Sequence, residues 1–198
     1  MSNLMIVITG VSSSGKTTLS KLFEDKYDLK LYSLDDIKVE GYEKYGYLNK
    51  IEHSILKNLG RYEMQARIIS DLRSNDARLV LEYPFTKEWQ NFFDYCREVY
   101  KTKLIIINCN TKDFEKIWDM HVNRDSVRFS DERHNSLHAK KYIRDSVYVQ
   151  DKYILTDKYK EKLKNYYTNN KFCSLTGDFI FNDSEIDKVE ELILLENE

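Results

Sequence analysis

The clearest chemistry in this sequence lies near its amino terminus. From Gly10 to Thr17 the chain reads Gly-Val-Ser-Ser-Ser-Gly-Lys-Thr, which meets the pattern G-x-x-x-x-G-K-[ST] at every fixed position. Glycines at both ends let the backbone take conformations closed to other residues, so that a row of N–H groups can close on an anion. A helix that starts directly afterwards turns its positive end toward the same charge. On this reading Gly10, Ser12, Ser13, Ser14, Gly15, Lys16, Thr17 and Thr18 form the bed of a nucleoside triphosphate. Lys16 meets the β- and γ-phosphates, and the Thr17 hydroxyl ligates the Mg²⁺ that travels with ATP. The chain has only 6 Gly, so a chance match is rare.

Carboxylates and cations elsewhere suit the same chemistry. Moving a phosphoryl group to an alcohol needs positioning, charge neutralisation and one group to take or orient the hydroxyl proton. Asp35 and Asp36 follow the apolar run Leu-Tyr-Ser-Leu directly, and Glu82 closes Arg-Leu-Val-Leu-Glu. Asp35 can serve as the base, while the alternative for the pair is helix capping. Asp36 suits a cap or a contact to metal-bound water. Glu82 can act as base or hold a water on Mg²⁺; its bland alternative is a strand end paired with a lysine. Residues 124–134, Arg-Asp-Ser-Val-Arg-Phe-Ser-Asp-Glu-Arg-His, read as a polar, poorly periodic loop with three arginines. Arg124 and Arg128 are the favoured cations for the γ-phosphate, delivered by a lid over residues 124–138; the alternative is a solvated charged helix end. His134 and His138 lack a third ligand and do not suggest a metal site.

The acceptor is expected to lie against residues 40–51. Lys38 and Lys50 can meet an anionic acceptor, and Tyr42, Tyr45 and Tyr47 can stack on a ring. Ordinary surface tyrosines are the alternative in a chain with 15 Tyr. Trp89 and Trp118 sit in helical patterns and read as packing residues.

The elements that must hold these residues alternate. Leu4–Thr9 is a short, Ile/Val-rich run that reads as a buried parallel strand, and residues 16–26 place Leu19, Leu22 and Phe23 at helical spacing. Residues 29–34, 78–83 and 103–110 read as strands. Residues 52–74 carry Ile55, Leu59, Tyr62, Ala66, Ile69 and Leu72 on one helical stripe. A helix over 111–124 starts after Asn110 or Thr111 as cap, with further helical patterns at 139–151 and 157–169, a last strand around 178–183 and a closing helix over 185–195. Strands alternating with helices imply an α/β sandwich around a mostly parallel sheet, whose ligands bind beyond the carboxyl ends of the strands. Gly10, Asp35, Glu82 and residues 108–110 should therefore converge on one edge.

With these residues in place, the sequence resembles a small P-loop kinase of the AAA-type ATP-binding group, the group of polynucleotide kinase, chloramphenicol phosphotransferase and zeta-toxin-like kinases. The likeness rests on Gly-Val-Ser-Ser-Ser-Gly-Lys-Thr-Thr-Leu-Ser, Tyr-Ser-Leu-Asp-Asp-Ile-Lys, Leu-Val-Leu-Glu-Tyr-Pro-Phe, and the stretch from Asn123 to His138. It implies a three-layer P-loop NTPase fold with a five-stranded sheet in the order 2-3-1-4-5. It also implies Asp35 as general base and arginines near Arg124 and Arg128 on the transferring phosphate. Lys16 is followed directly by Thr17, unlike the adenylate-kinase group, and Glu82 stands where many P-loop ATPases carry Asp.

Bulk composition sets the outer limits. A chain of 198 residues fits one domain spanning 1–198, and 41% hydrophobic residues can build its core. A net charge of -2 does not indicate nucleic acid, although a local basic groove is compatible with it. No run approaches a membrane span, and Cys96, Cys109 and Cys173 form no paired motif, so a cytoplasmic protein with reduced thiols is expected. The expected activity is transfer of the ATP γ-phosphate to a hydroxyl of a small molecule, a nucleoside-like compound or a nucleic-acid 5′ end. The alternative is a non-catalytic ATP-binding regulator. The acceptor and the oligomeric state stay open.

Overall fold

All six residues of β1, Leu4–Thr9, are buried, because this strand is flanked on both edges and covered on both faces. The computed structural model describes residues 3–128, 157–169 and 174–195. Around β1 lie β2 (Lys30–Ser33), β3 (Arg78–Glu82), β4 (Lys103–Asn108) and β5 (Phe179–Asn182), all parallel, in the order β2-β3-β1-β4-β5. This is the sheet order expected from the resemblance. The register aligns Thr9 with Asn108, Ile8 with Glu82, and Glu82 with Ser33, so the carboxyl ends share one edge.

The helices are α1 (Lys16–Tyr27), α2 (Leu34–Tyr45), α3 (Lys50–Leu72), α4 (Gln90–Tyr100), α5 (Phe114–Arg128), α6 (Asp157–Thr168) and α7 (Ile186–Leu195). Period-2 alternation splits the strand side chains between two cores. Met5, Val7, Leu79, Leu81, Leu104 and Ile106 pack with Met64, Ile68 and Leu72 of α3 and Phe93 of α4. Leu4, Ile6, Ile8, Val80, Ile105 and Ile107 pack with Phe23 of α1 and Val189 and Ile193 of α7. A third cluster joins Val11 of the phosphate loop to Phe114, Ile117 and Leu163. Buried Asn3 ties the base of the sheet together: its amide donates to the carbonyls of Leu72 (2.9 Å) and Tyr100 (3.0 Å), and its Oδ1 accepts from Ala77 N–H at 2.8 Å.

Several elements differ from the sequence reading. The second strand ends at Ser33, because the Ser33 hydroxyl caps α2 by accepting from Asp36 N–H at 3.4 Å. Most of the apolar stripe expected on α3 lies on the side away from the core; of its residues only Leu72 is buried. The buried row of the helix is Gly60, Met64, Ile68 and Leu72, whereas Ile55, Leu59 and Tyr62 are 52%, 51% and 68% exposed. At 3.6 residues per turn the two rows fall on nearly opposite faces. The cap of α5 is Asp113, whose Oδ1 accepts from Lys116 N–H, while Asn110 and Thr111 donate their N–H groups to Asp183. Helix α5 runs through Arg128, so Arg124 and Arg128 stand one turn apart on a helix and not in a loop. Arg133, His134, His138 and the helical pattern at 139–151 lie outside the described residues.

Candidate functional site

The loop from Gly10 to Gly15 leaves β1 and enters α1 through three residues with positive φ, two of them glycine. Gly10 has φ 148°, Gly15 φ 104° and Ser13 φ 67°. A Cβ at Gly10 would sit 2.7 Å from the Cys109 carbonyl oxygen and 2.8 Å from Ser14 Oγ, so glycine is required there on contact as well as on conformation. Ser14 N–H donates back to the Val11 carbonyl, and Gly15 takes the N-cap position of α1 with no side chain of its own. The first-turn amides of α1 are thus left facing the loop. Ser14 Oγ is buried with no hydrogen-bond partner among the described residues. An uncapped helix start, glycines at both ends of the loop and an orphaned hydroxyl fit a phosphate group.

Lys16 is buried and its Nζ donates to the Val11 carbonyl at 2.7 Å, so its ammonium lies across the loop. One residue on, Thr17 Oγ1 donates to Glu82 Oε1 at 3.2 Å. Burial is the main cause that pushes the Glu82 carboxyl above its ordinary range; Asp35 adds to the push, while Lys16 and hydrogen bonds from Thr17 and Ser33 oppose it. The strand end is thus neither bare nor paired with a surface lysine. Among the described residues no group of three His, Cys, Asp or Glu forms a metal cage. Thr17 and Glu82 instead offer two adjacent oxygens. That set suits Mg²⁺, which takes most of its ligands from phosphate and water.

Asp35 lies in the first turn of α2. Ser33 does the capping there, so the Asp35 carboxylate is not used as the cap; it is 67% exposed and contacts Lys38 Nζ at 3.2 Å. Asp36 contributes its backbone N–H to that cap, and its side chain is exposed. Lys38 is 8% exposed, donates to the Tyr83 hydroxyl at 3.1 Å and lies 4.2 Å from the Tyr83 ring centre. Tyr42 is half-buried, and burial, with Tyr47, Asp35 and Tyr83 nearby, holds its phenol protonated well above the usual range. Tyr47 is fully buried, so it belongs to packing; Tyr45 is 54% exposed. Trp89 packs in the core and Trp118 against the cluster below the phosphate loop, both as expected.

Three contributors escaped the sequence reading. His121 of α5 is buried, contacts Ser13 Oγ through Nδ1 at 3.2 Å and stacks on Trp118. Lys112 Nζ donates to the Ser14 carbonyl at 3.2 Å. His53, Lys57 and Arg61 line α3 where it faces α2. The first two lie beyond any motif; a four-residue spacing of basic groups on α3 is the signal that was available for the third set. Cys96 and Cys109 are free, and burial raises both thiols to about 12, which makes them inert. An open depression of about 580 Å³ lies at the opposite end of β4, but its Arg97 is already held by Asp178 and Asp94.

No protein-family model matches the chain. No curated protein matches it in sequence. Among solved structures, a candidate kinase from Chloroflexus aurantiacus aligns with a TM-score of 0.57 and 17% identity, over 72% of this chain and 76% of its own. The PezAT toxin–antitoxin structure of Streptococcus pneumoniae aligns at 0.49 with 14% identity over 98% of this chain and 87% of its own. The Mycobacterium tuberculosis APS kinase CysC, solved with AMPPNP and APS, aligns at 0.48 with 15% identity over 100% and 99%. The first of these similarities and the sheet order define the class: the chain has the P-loop kinase fold. No helix among the described residues is long and apolar enough to cross a membrane.

Proposed function

We propose that this chain is an ATP-dependent phosphotransferase that moves the γ-phosphate onto a hydroxyl of a small acceptor. One observation carries the reading: Lys16, Thr17, Glu82 and Asp35, from three separate segments, meet at the carboxyl edge of the sheet. The Thr17–Glu82 contact is 3.2 Å, and the charges of Lys16 and Asp35 both act on Glu82.

In this mechanism the backbone of residues 10–15 and the start of α1 hold the β- and γ-phosphates, and Lys16 leaves the Val11 carbonyl to pair with them. Thr17, and Glu82 through water, would hold Mg²⁺, which would supply charge neutralisation at the phosphate oxygens. Asp35 accepts the acceptor's hydroxyl proton, with Lys38 fixing the direction of its carboxylate through the 3.2 Å contact. Helix α5 passes the phosphate loop at His121, and Arg124 and Arg128 follow it at helical spacing. They are the cations assigned to the transferring phosphate, the residues around 124–138 acting as lid. Chain 1–198 acts as one domain, in the cytoplasm.

The test is ADP release from Mg²⁺–ATP across a panel of nucleosides, sugars and other alcohols. A turning-over acceptor is expected, with Asp35→Asn losing about 10²- to 10⁴-fold in kcat while ATP affinity persists. ATP binding with no acceptor above the water background, and normal cellular function of Asp35→Asn, would instead mark a regulator that uses ATP as a conformational ligand.

A further inference from the structure

Beside the proposed base, α2 and α3 collect cations of which the phosphate chemistry uses only Lys38. Gly60 of α3 lets α2 approach: a Cβ there would lie 3.2 Å from Lys38 Cγ and 3.6 Å from its Cα. Lys57 and Arg61 flank that contact one turn apart, and His53 lies one turn before Lys57. The His53 ring packs on Tyr42 and Tyr47, with centroids at 5.2 and 4.8 Å. Lys38, Lys57, Arg61 and His53 therefore gather on one side of α2 and α3 beside Asp35, Tyr42 and Tyr83, with Lys38 in contact with Asp35 and Tyr83 and His53 in contact with Tyr42.

The acidic groups present do not balance this set. Asp35 contacts Lys38. Glu88 reaches Arg61 only at 3.9 Å and is 78% exposed. Glu52 is occupied by Leu48 N–H at 2.8 Å. Lys57 has no carboxylate partner among the described residues, and Arg61 Nε is buried with no hydrogen-bond partner there. The consequence shows in proton affinity: Lys57 is exposed, yet partial desolvation against the helix pair, and then Lys38, hold its ammonium below the usual lysine range. Desolvation, then Lys57 and Lys38, likewise lowers His53. Holding like charges together costs stability unless an anion joins them.

We infer that Lys57 and Arg61, backed by Lys38 and His53, form an oxyanion subsite, so that the acceptor is a small alcohol carrying a phosphate or similar tetrahedral group. This rests on the kinase reading for the alcohol but not for the anion. The guanidinium and ammonium supply charge-assisted hydrogen bonds to the oxyanion, and the aromatic wall of Tyr42 and Tyr83 covers the body of the molecule between it and Asp35. The subsite is compact and the chain has a net charge of -2, which favours a single anionic group over a nucleic-acid strand.

The test fills the phosphate loop with Mg²⁺ and AMPPNP, then titrates inorganic phosphate while the His53 ring is followed by NMR. Saturable shifts are expected, weakened at least about tenfold in Lys57→Gln/Arg61→Gln with AMPPNP affinity unchanged. Ribose 5-phosphate should displace phosphate and ribose should not. No saturation, or the same affinity in the double variant, overturns the subsite. So does an eight-nucleotide DNA that outbinds ribose 5-phosphate with a steep salt dependence. If AMPPNP does not bind, the nucleotide reading has failed on its own, and the same titration in Lys16→Ala still decides the anion site.

Discussion

Gly10→Ala tests whether the phosphate loop depends on its strained geometry. The backbone there has φ 148°, and the added Cβ would meet the Cys109 carbonyl oxygen at 2.7 Å and Ser14 Oγ at 2.8 Å. The carbonyl belongs to the residue directly after β4, which is tied to β1 by the Cys109 N–H to Thr9 carbonyl hydrogen bond at 2.8 Å and cannot swing away freely. A side chain in this backbone region costs about 1–3 kcal/mol, and an overpacked methyl about 1–3 kcal/mol more. At about 2–4 °C per kcal/mol for a chain of this length, the melting temperature should fall by roughly 4–24 °C. Gly41→Ala is the control. Gly41 lies within α2 with nothing within 4 Å of an added Cβ, and the change should stabilise by about 0.5–1 kcal/mol. Both variants are read by far-UV circular dichroism melts, with and without Mg²⁺–ATP. A Gly10→Ala melt within about 2 °C of wild type, with its ATP-induced shift intact, would refute the reasoning.

Glu82→Gln should melt higher than wild type at pH 7 in nucleotide-free buffer. The folded carboxyl titrates above its ordinary value of 4.5, so the stability it lends is full below that pH and is lost as pH rises through the folded pKa. The advantage of Gln should therefore shrink as pH falls below 4.5, and a gap constant with pH would count against the burial argument. The same variant should need more Mg²⁺ for turnover, read from the metal dependence of ADP release. Asn3→Ala removes three hydrogen bonds at the base of the sheet and should cost about 2–4 kcal/mol by urea denaturation; a loss under about 0.5 kcal/mol would show that water replaces them.

The parallel sheet and the phosphate loop were legible because each rests on a local signal. Ile/Val runs such as Leu4–Thr9 and Lys103–Asn108 can be buried only as central strands, and the glycine-lysine-threonine spacing has few other uses. Glu82 was legible as a strand-end acid, but its contact with Thr17 joins residues 65 apart and exists only in the fold. Helix α2 went unread because its buried set is short, Leu34, Ile37 and a lysine, so its period is faint. Helix α3 carries apolar residues on two faces, and periodicity cannot say which one meets the sheet. Lys57 and Arg61 read as ordinary surface charges in sequence. Gly60, which lets Lys38 of α2 approach α3 between them, is what brings them beside the proposed base.

The central claim is that residues 10–17 bind a nucleoside triphosphate for phosphoryl transfer, and calorimetric titration of Mg²⁺–ATP into wild-type and Lys16→Ala protein tests it most directly. Wild type should bind one ATP per chain. Lys16→Ala should lose at least about tenfold in affinity, since removing a charge-assisted partner of the β- and γ-phosphates forfeits its whole contribution, and its melting temperature should stay near that of wild type. Equal affinity in the two proteins, or no binding by wild type, would contradict the account.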